Sequence, residues 1–155
     1  MWKRCHHVSD VKPVLLLSAL ADDEKQANKL CTTWKLSNYD KMLSCFIVNH
    51  RHLTEDPEEP LRYYQDLIIR KNSQHIVAMV KQLLYYQGKI AKIEEIEKWS
   101  IPKFPLNGAD LKKLGVKTGP EFGKLLNELK EKWIQSRFVL TKEFLCEEVK
   151  RLQGE

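Results

Sequence analysis

The chain has 155 residues, of which 43% are apolar and 30% are charged, so it can form one sizeable core or two small ones. This composition excludes an intrinsically disordered chain, and the lack of any long apolar run excludes a membrane-spanning one. The net charge of +5 permits a polyanionic partner without requiring one.

The first ten residues, MWKRCHHVSD, are basic but lack the apolar segment of a secretory signal. We interpret them as an ordinary frayed terminus, with the remnant of a transit sequence as the alternative. Nothing fixes the spacing between Cys5-His6-His7 and His50-Arg51-His52, so we predict no metal site from these two clusters. The cysteines form no Cys-x-x-Cys pair, which predicts reduced thiols in an intracellular protein. They are Cys5, Cys31, Cys45 and Cys146.

Helical periodicity begins after Pro13, whose fixed φ suits the first turn of a helix. A second helix is predicted over residues 22–36. Ser37 is the predicted cap of a third helix, with Asp40 at the reciprocal position of a capping box. The predicted buried faces of these three helices are Val14, Leu15, Leu17 and Leu20; Leu30 and Trp34; and Met42, Leu43, Phe46 and Ile47.

The segment 54–60, TEDPEEP, contains two prolines and four acidic residues and predicts a loop. One helix follows this loop, a second opens at Ser73 and ends near Gly88, and a third covers residues 89–99. The predicted buried faces are Leu61, Tyr64, Leu67 and Ile68; Ile76, Val80, Leu83 and Leu84; and Ile90, Ile93 and Ile96.

Two prolines three residues apart, Pro102 and Pro105, cannot lie inside a helix and mark the best candidate for a domain boundary. We therefore predict a helical body over residues 1–100 and a helical tail over residues 101–155. Strand alternation is sustained nowhere. The predicted fold class is all-α and multi-helical, with a larger N-terminal part followed by a small tail.

Four of the six glycines lie within residues 104–133. Asn107 is the predicted cap of a short helix, with Asp110 at the reciprocal position, Leu111 and Leu114 buried, and Gly115 at its end. Thr118 and Glu121 form a second predicted capping box before a long helix. Gly123 is predicted to let another helix pack closely against this one. The predicted buried face of the long helix is Phe122, Leu125, Leu126, Leu129 and Trp133.

Positive charge is concentrated in the same stretch. Residues 103–137 carry eight Lys and Arg against four Asp and Glu, an excess of four. Gly119 lies at a helix start, flanked by Lys117 and Lys124, where free N–H groups and the helix dipole can bind a phosphate. Helix capping alone explains the same residues and is slightly favoured by the spacing. The helix–short turn–helix layout is also typical of modules that bind nucleic-acid backbone without reading sequence.

The run IPKFPLNGADLKKLGVKTGPEFGKLLNELKEKW resembles the C-terminal signature of CCA-adding tRNA nucleotidyltransferases. The upstream blocks KPVLLLSAL, FIVNHRHL, YQDLIIR, LLYYQGK and KWSIPKFP resemble the animal mitochondrial type of this family in the same order. Together the blocks cover about residues 11–150. The matching positions of the C-terminal signature are Asp110, Leu111, Leu114, Gly115, Gly119, Pro120, Gly123, Leu125 and Leu126.

The resemblance implies the tRNA-binding C-terminal body and tail of such an enzyme, which position the acceptor stem for a catalytic head. We find no Gly-Ser followed by Asp-x-Asp, no Arg-Arg-Asp and no Glu-Asp-x-x-Arg. The adjacent pairs Asp22-Asp23 and Glu58-Glu59 point in different directions on a helix and are poor metal clamps. We therefore expect this chain to lack the head and neck and to be inactive alone. Magnesium and CTP or ATP would belong to the head, so no cofactor is expected here.

The expected partner is tRNA, at its acceptor stem and outer corner, with no DNA specificity and no membrane. The expected location is mitochondrial, with the cytosol and nucleus as alternatives. A helical interaction or dimerisation module and a general helix-hairpin-helix binder of nucleic acid remain alternatives. The interaction or dimerisation module is favoured by the large number of aromatic residues, namely Trp2, Trp34, Tyr63, Tyr85 and Tyr86. The candidate RNA-binding residues are Lys103, Lys112, Lys113, Lys117, Thr118, Gly119, Lys124, Lys130, Lys132 and Arg137.

Overall fold

The computed structural model describes residues 11–154, and over this range it contains nine α-helices and no strand. This confirms the predicted all-α class. The helices form two compact units, one ending at Trp99 and the other beginning at Ser100. Trp2 and the Cys5-His6-His7 cluster lie outside the described residues. No helix between residues 11 and 154 combines the length and apolar character needed to cross a membrane.

Six helices build the first unit, and local signals set several of their ends. The Asp23 carboxylate accepts a hydrogen bond from the backbone of Gln26, and the Ser37 hydroxyl accepts one from the backbone of Asp40. Gly88 takes a left-handed φ of 71° just after the fifth helix, where a glycine is favoured. The helices are α1 (Val14–Ala19), α2 (Glu24–Thr33), α3 (Asn38–His50), α4 (Arg62–Lys71), α5 (Ile76–Tyr86) and α6 (Ile90–Lys98).

The core of the first unit is built mainly from α3, α4 and α5. Their predicted apolar faces are confirmed at most positions, because the side chains at helical spacing are buried. The half-buried aromatic residues Tyr63, Tyr85 and Tyr86 pack against this core. The confirmed buried residues are Leu43, Phe46, Ile47, Tyr64, Leu67, Ile68, Ile76, Val80, Leu83 and Leu84.

Four residues of the first unit that were predicted as buried are exposed, and one of them is Ile90, which is 40% exposed at the first position of α6. Leu20 is 70% exposed because α1 ends at Ala19, and the last turn of α1 buries Ser18 instead. Ser18 forms a hydrogen bond with Ser44 of α3 at 3.0 Å. Trp34 is 64% exposed because it lies just after the end of α2. Met42 is 50% exposed at the edge of the α3 stripe.

Two helices of the first unit differ in register from the prediction. In α2 the buried residues are Ala27 and Cys31, while Leu30 is half-buried. The face of α2 that packs on the core is therefore rotated about the helix axis from the predicted one. In α5 the first helical residue is Ile76 rather than a residue directly after Ser73. Residues 73–75 form a turn whose Ser73 carbonyl accepts a hydrogen bond from the Ile76 backbone.

A polar cluster connects the 51–61 loop to α4 and to the start of α6. The Glu55 carboxylate accepts hydrogen bonds from Tyr64 of α4, from Lys89 at 2.8 Å and from Lys92 of α6. Both lysine Nζ atoms also lie within 6 Å of the Tyr64 ring centre, at 5.9 and 5.8 Å. Burial alone would raise the pKa of Glu55, but the three hydrogen bonds lower this pKa to about 2. We call these four residues the Glu55 cluster.

The second unit contains α7 (Gly108–Lys113), α8 (Pro120–Gln135) and α9 (Lys142–Gly154). The predicted capping box at the start of α7 is confirmed, because the Asn107 side chain and the Asp110 carboxylate each accept from the other's backbone. Gly115 ends α7 with a φ of 84°. The helix α9 was not predicted from the sequence. Its Leu145 and Val149 complete a core with Leu106, Leu111, Leu129, Trp133 and Ile134.

Two consecutive left-handed residues follow the end of α8, Arg137 with a φ of 63° and Phe138 with a φ of 64°. The backbone N–H of Phe138 donates to the Trp133 carbonyl at 2.9 Å, and that of Arg137 donates to the Ile134 carbonyl at 3.1 Å. The Phe138 ring also packs against the Trp133 ring, with 4.9 Å between their centres. The turn that ends α8 is therefore held against Trp133, a core residue of the same helix, by a hydrogen bond and a ring contact.

Candidate nucleic-acid interface

The exposed loop between α7 and α8 carries the centre of the predicted site. Gly119 is the N-cap of α8 and Pro120 is its first residue, and no side chain caps the helix start. The predicted Thr118–Glu121 capping box is therefore wrong. Since the helix begins one residue later than predicted, Thr118 lies before the cap position. The uncapped start leaves the positive end of the α8 dipole open to solvent.

The two glycines of α8 have no packing role. Gly119 is extended, with a φ of 171°, and a Cβ added there would have no neighbour within 4 Å. Gly123 is exposed and its Cβ position is equally open, so the predicted close approach of another helix is wrong. Gly108, in contrast, is closely packed, because a Cβ added there would lie 3.5 Å from the Phe122 ring. Neither conformation nor packing thus requires a glycine at position 119.

Charge at the start of α8 is mixed. A groove of about 490 Å³ is lined by Lys117 together with two carboxylates, Glu121 and Glu128. Glu121 lies in the first turn of α8, where a carboxylate interacts favourably with the helix dipole. A phosphate would be repelled inside this groove. An anion at this helix start would therefore have to approach the exposed side of residues 117–119, away from the two glutamates.

The predicted cations fall into two groups. Five lysines are exposed and form no ion pair with a carboxylate among residues 11–154. In contrast, Lys130 and Arg137 are half-buried, and Lys132 is paired with Glu148 of α9, whose pKa this hydrogen bond lowers. The exposed group consists of Lys103, Lys112, Lys113, Lys117 and Lys124.

The lysines of α8 do not share one face. An α-helix turns by roughly 100° per residue, so Lys130 and Lys132 point in directions about 160° apart. Lys124 lies roughly 120° from Lys130 by the same count. A single strand of phosphates cannot contact all three side chains. Because Lys124 is exposed and unpaired near the α8 start, it is the α8 lysine that best extends the 117–119 surface.

Two further lysines lie just before the loop. Lys112 and Lys113 occupy the last turn of α7, where cations interact favourably with the helix dipole. Lys142 of α9, which was not predicted, donates to Asp110 at 2.7 Å and is the main cause of the lowered pKa of that carboxyl. This ion pair ties α9 to α7. We call Lys112, Lys113, Lys117, Gly119 and Lys124 the basic surface.

No metal site is found between residues 11 and 154, where no three His, Cys, Asp or Glu side chains come together. His50 is instead hydrogen-bonded to the Tyr63 hydroxyl through Nδ1 at 2.7 Å. Burial, and then the nearby charge of Lys71, lowers the pKa of His50. His52 lies against Arg51, whose Nε is 2.9 Å from the imidazole Nε2.

Comparison with known proteins finds relatives along nearly the whole chain. The family model described as "tRNA nucleotidyltransferase domain 2 putative" matches residues 9–149. The protein "CCA tRNA nucleotidyltransferase 1, mitochondrial" is 36% identical over 143 residues in both Mus musculus and Homo sapiens, covering 90% of this chain. The protein of the same name in Danio rerio is 35% identical over 148 residues, covering 94% of this chain. The chain spans only about a third of the length of these relatives, 33% of the first two and 34% of the third.

Proposed function

The chain belongs to the tRNA nucleotidyltransferase domain 2 family, and on that premise we propose that it is the tRNA-binding part of a CCA-adding enzyme. The observation that supports this most directly is the basic surface of the second unit. Its lysines are exposed, unpaired and close to an uncapped helix start. Such a surface suits a phosphate backbone and reads no base.

Shape recognition of this kind fits tRNA. A-form RNA is bound largely through phosphates, 2′-hydroxyls and overall shape, since its deep groove hides the base edges. We propose that the unit ending at Trp99 and the unit beginning at Ser100 act as body and tail, which bind the acceptor stem and outer corner. Nucleotide addition would require a catalytic part outside this chain, to which magnesium and CTP or ATP would bind. We also propose a mitochondrial location, because the relatives in mouse, human and zebrafish are mitochondrial enzymes.

The test of this proposal is tRNA binding by a double variant, Lys117→Ala with Lys124→Ala. Removing two phosphate contacts should make the slope of log affinity against log salt less negative by about 2. The measurement is a fluorescence or filter-binding titration at several salt concentrations. The matched control is Lys25→Ala with Lys29→Ala, which removes two exposed lysines of α2 in the first unit.

Equal weakening by both lysine pairs would mean that only general charge is involved, which contradicts a phosphate site on the basic surface. Duplex DNA of equal charge should bind less tightly than tRNA or an acceptor-stem minihelix. Equal binding of DNA would favour the helix-hairpin-helix alternative. No RNA binding, together with self-association in sedimentation, would favour the dimerisation alternative.

Substituting Gly119 should separate the effect on folding from the effect on binding. An aspartate at this extended N-cap position has room for its side chain and can accept from the free backbone N–H groups. Gly119→Asp should therefore leave stability unchanged or raise it by a few tenths of a kcal/mol. The same carboxylate would repel a bound phosphate and weaken tRNA binding. Thermal melting and tRNA titration measure the two effects on one sample.

The uncharged variant Gly119→Ser is the control for the aspartate. It also caps α8, but it adds no charge, so it should bind tRNA more tightly than Gly119→Asp. If the aspartate variant binds tRNA as well as the original chain, the start of α8 does not contact a phosphate.

A further inference from the structure

A second groove, of about 440 Å³, opens on the first unit between α2, α3, the α4–α5 turn and α5. Small-molecule sites usually have volumes of about 300–1,000 Å³. The bottom of this groove is apolar, because Phe46, Ile76 and Met79 line it and are all buried. None of its lining residues belongs to the basic surface. We call it the α3 groove.

Two lysines stand at the rim of the α3 groove, Lys41 in α3 and Lys71 at the end of α4. Neither forms an ion pair with a carboxylate of the described chain, residues 11–154. His50 also lines the groove, and its lowered pKa keeps it neutral at pH 7. Lys41 and Lys71 are thus two cations that no carboxylate within residues 11–154 pairs with, and such cations can bind an anionic group.

The residues that α2 contributes to the groove have different chemistry. Glu24 and Asn28 line the groove there, and the Glu24 carboxylate accepts from the Asn49 side-chain amide at 2.8 Å. Carboxamide and carboxylate groups can pair with the donors and acceptors along the edge of a nucleobase. An apolar bottom containing an aromatic ring suits the flat faces of a base.

We propose that the α3 groove binds one nucleotide, with its base over Phe46 and Met79 and its phosphate on Lys41 and Lys71. The source of this nucleotide is either a free mononucleotide or an unpaired nucleotide of an RNA strand. The site is separate from the basic surface and does not rest on the proposed function. Because the groove is open to solvent along its rim, the affinity for a free nucleotide is weak, with a Kd of about 0.1–1 mM.

The experiment is a calorimetric or NMR titration of the whole chain with AMP and with CMP. Adenosine and inorganic phosphate are titrated in parallel, and each should bind more weakly than AMP because each lacks half of the contacts. The double variant Lys41→Ala with Lys71→Ala should lose about tenfold in affinity for AMP. A second variant, Asn28→Trp, should abolish binding by filling the groove from an exposed position of α2.

Two controls accompany these variants. Lys25→Ala with Lys29→Ala removes the same charge from α2 without touching a lining residue and should leave AMP binding unchanged. Lys117→Ala with Lys124→Ala should also leave it unchanged, so failure of the tRNA proposal would not affect this one. Melting temperatures establish that each variant is folded.

The outcomes are distinct. No saturable binding of AMP or CMP at millimolar concentration overturns the proposal, as does equal binding of adenosine and AMP. An unchanged affinity in the Lys41 and Lys71 double variant, or in Asn28→Trp, also overturns it. A short single-stranded RNA that binds more tightly than AMP, and is weakened by the same double variant, identifies an RNA strand as the source. An RNA that binds no more tightly identifies the free nucleotide.

Discussion

Trp133→Ala should lower the free energy of unfolding by about 3–5 kcal/mol, which is the largest effect we expect from a single substitution. The Trp133 side chain is only 2% exposed and is the largest fully buried one among the residues whose burial is described. Its ring packs edge-on against Phe104, at 5.4 Å between centres, and against Phe138 at 4.9 Å. The alanine would leave a cavity that the surrounding side chains can fill only in part. Denaturant unfolding followed by circular dichroism measures the loss.

The matched control for this substitution is Trp34→Ala. It makes the same chemical change at a side chain that is 64% exposed, so the loss should stay below about 1 kcal/mol. Similar losses for the two tryptophans would contradict the burial of Trp133 in the core of the second unit.

Glu55→Gln should destabilise the first unit by about 2–3 kcal/mol at pH 7. The carboxylate accepts from Tyr64, Lys89 and Lys92, and its side chain is only 17% exposed. A glutamine would keep the shape but remove the charge, which leaves the two lysines close together without their counter-ion. The measurement is urea unfolding of both proteins over a range of pH.

The expected pH dependence follows from the lowered pKa of Glu55. Its ordinary value is 4.5 and its value in the folded chain is about 2. A lowered folded-state pKa means that the stabilisation is complete above about pH 4.5 and is lost as the pH falls through 2. The difference between the original chain and Glu55→Gln should therefore shrink in this acidic window. It should stay constant from pH 5 to 7 if Glu55 is the group responsible.

Glu94→Gln is the control for charge. Glu94 pairs with Lys98 at 3.6 Å on the outside of α6, and its side chain is 68% exposed, so solvent screens the pair. Loss of this exposed ion pair should change the free energy of unfolding by too little to measure. A comparable effect of both substitutions would show that the Glu55 cluster contributes no more than an exposed ion pair.

The sequence predicted the helical class and those features that local chemistry determines. Ser37 and Asn107 are caps because their side chains reach a backbone N–H three residues ahead, and Gly88 and Gly115 end helices because they adopt positive φ. These interactions involve neighbours along the chain and are therefore visible in a short stretch of sequence. The capping prediction at Thr118 failed because Pro120 takes the first helical position, which makes Gly119 rather than Thr118 the N-cap.

The misassigned faces have a tertiary cause. Periodicity identifies an apolar stripe, but it does not show how far a neighbouring helix covers that stripe. Met42 continues its stripe in the sequence and yet is exposed at the edge of the packed surface, whereas Leu20 is exposed because α1 ends one residue before it. The Glu55 cluster was invisible for a related reason, because Glu55 and Lys89 are 34 residues apart. No local pattern marks such a contact.

The candidate site was predicted as a set of residue types in one stretch rather than as a surface. Composition located the excess of positive charge, but it could not distinguish the unpaired Lys124 from Lys132, whose partner Glu148 lies on an unpredicted helix. The role of each residue in RNA binding stays a prediction. The α3 groove could not be predicted, since its rim comes from three different helices.

The left-handed pair after α8 has a consequence for how Arg137 could meet an anion. Non-glycine residues in this conformation store about 1–2 kcal/mol each, which the packing of Phe138 on Trp133 must offset during folding. The backbone direction of Arg137 is thus already fixed before any partner arrives. The Arg137 side chain is half-buried, so it has less rotational freedom to lose than an exposed lysine such as Lys124. A phosphate that contacts Arg137 would therefore cost less ordering than one that contacts Lys124.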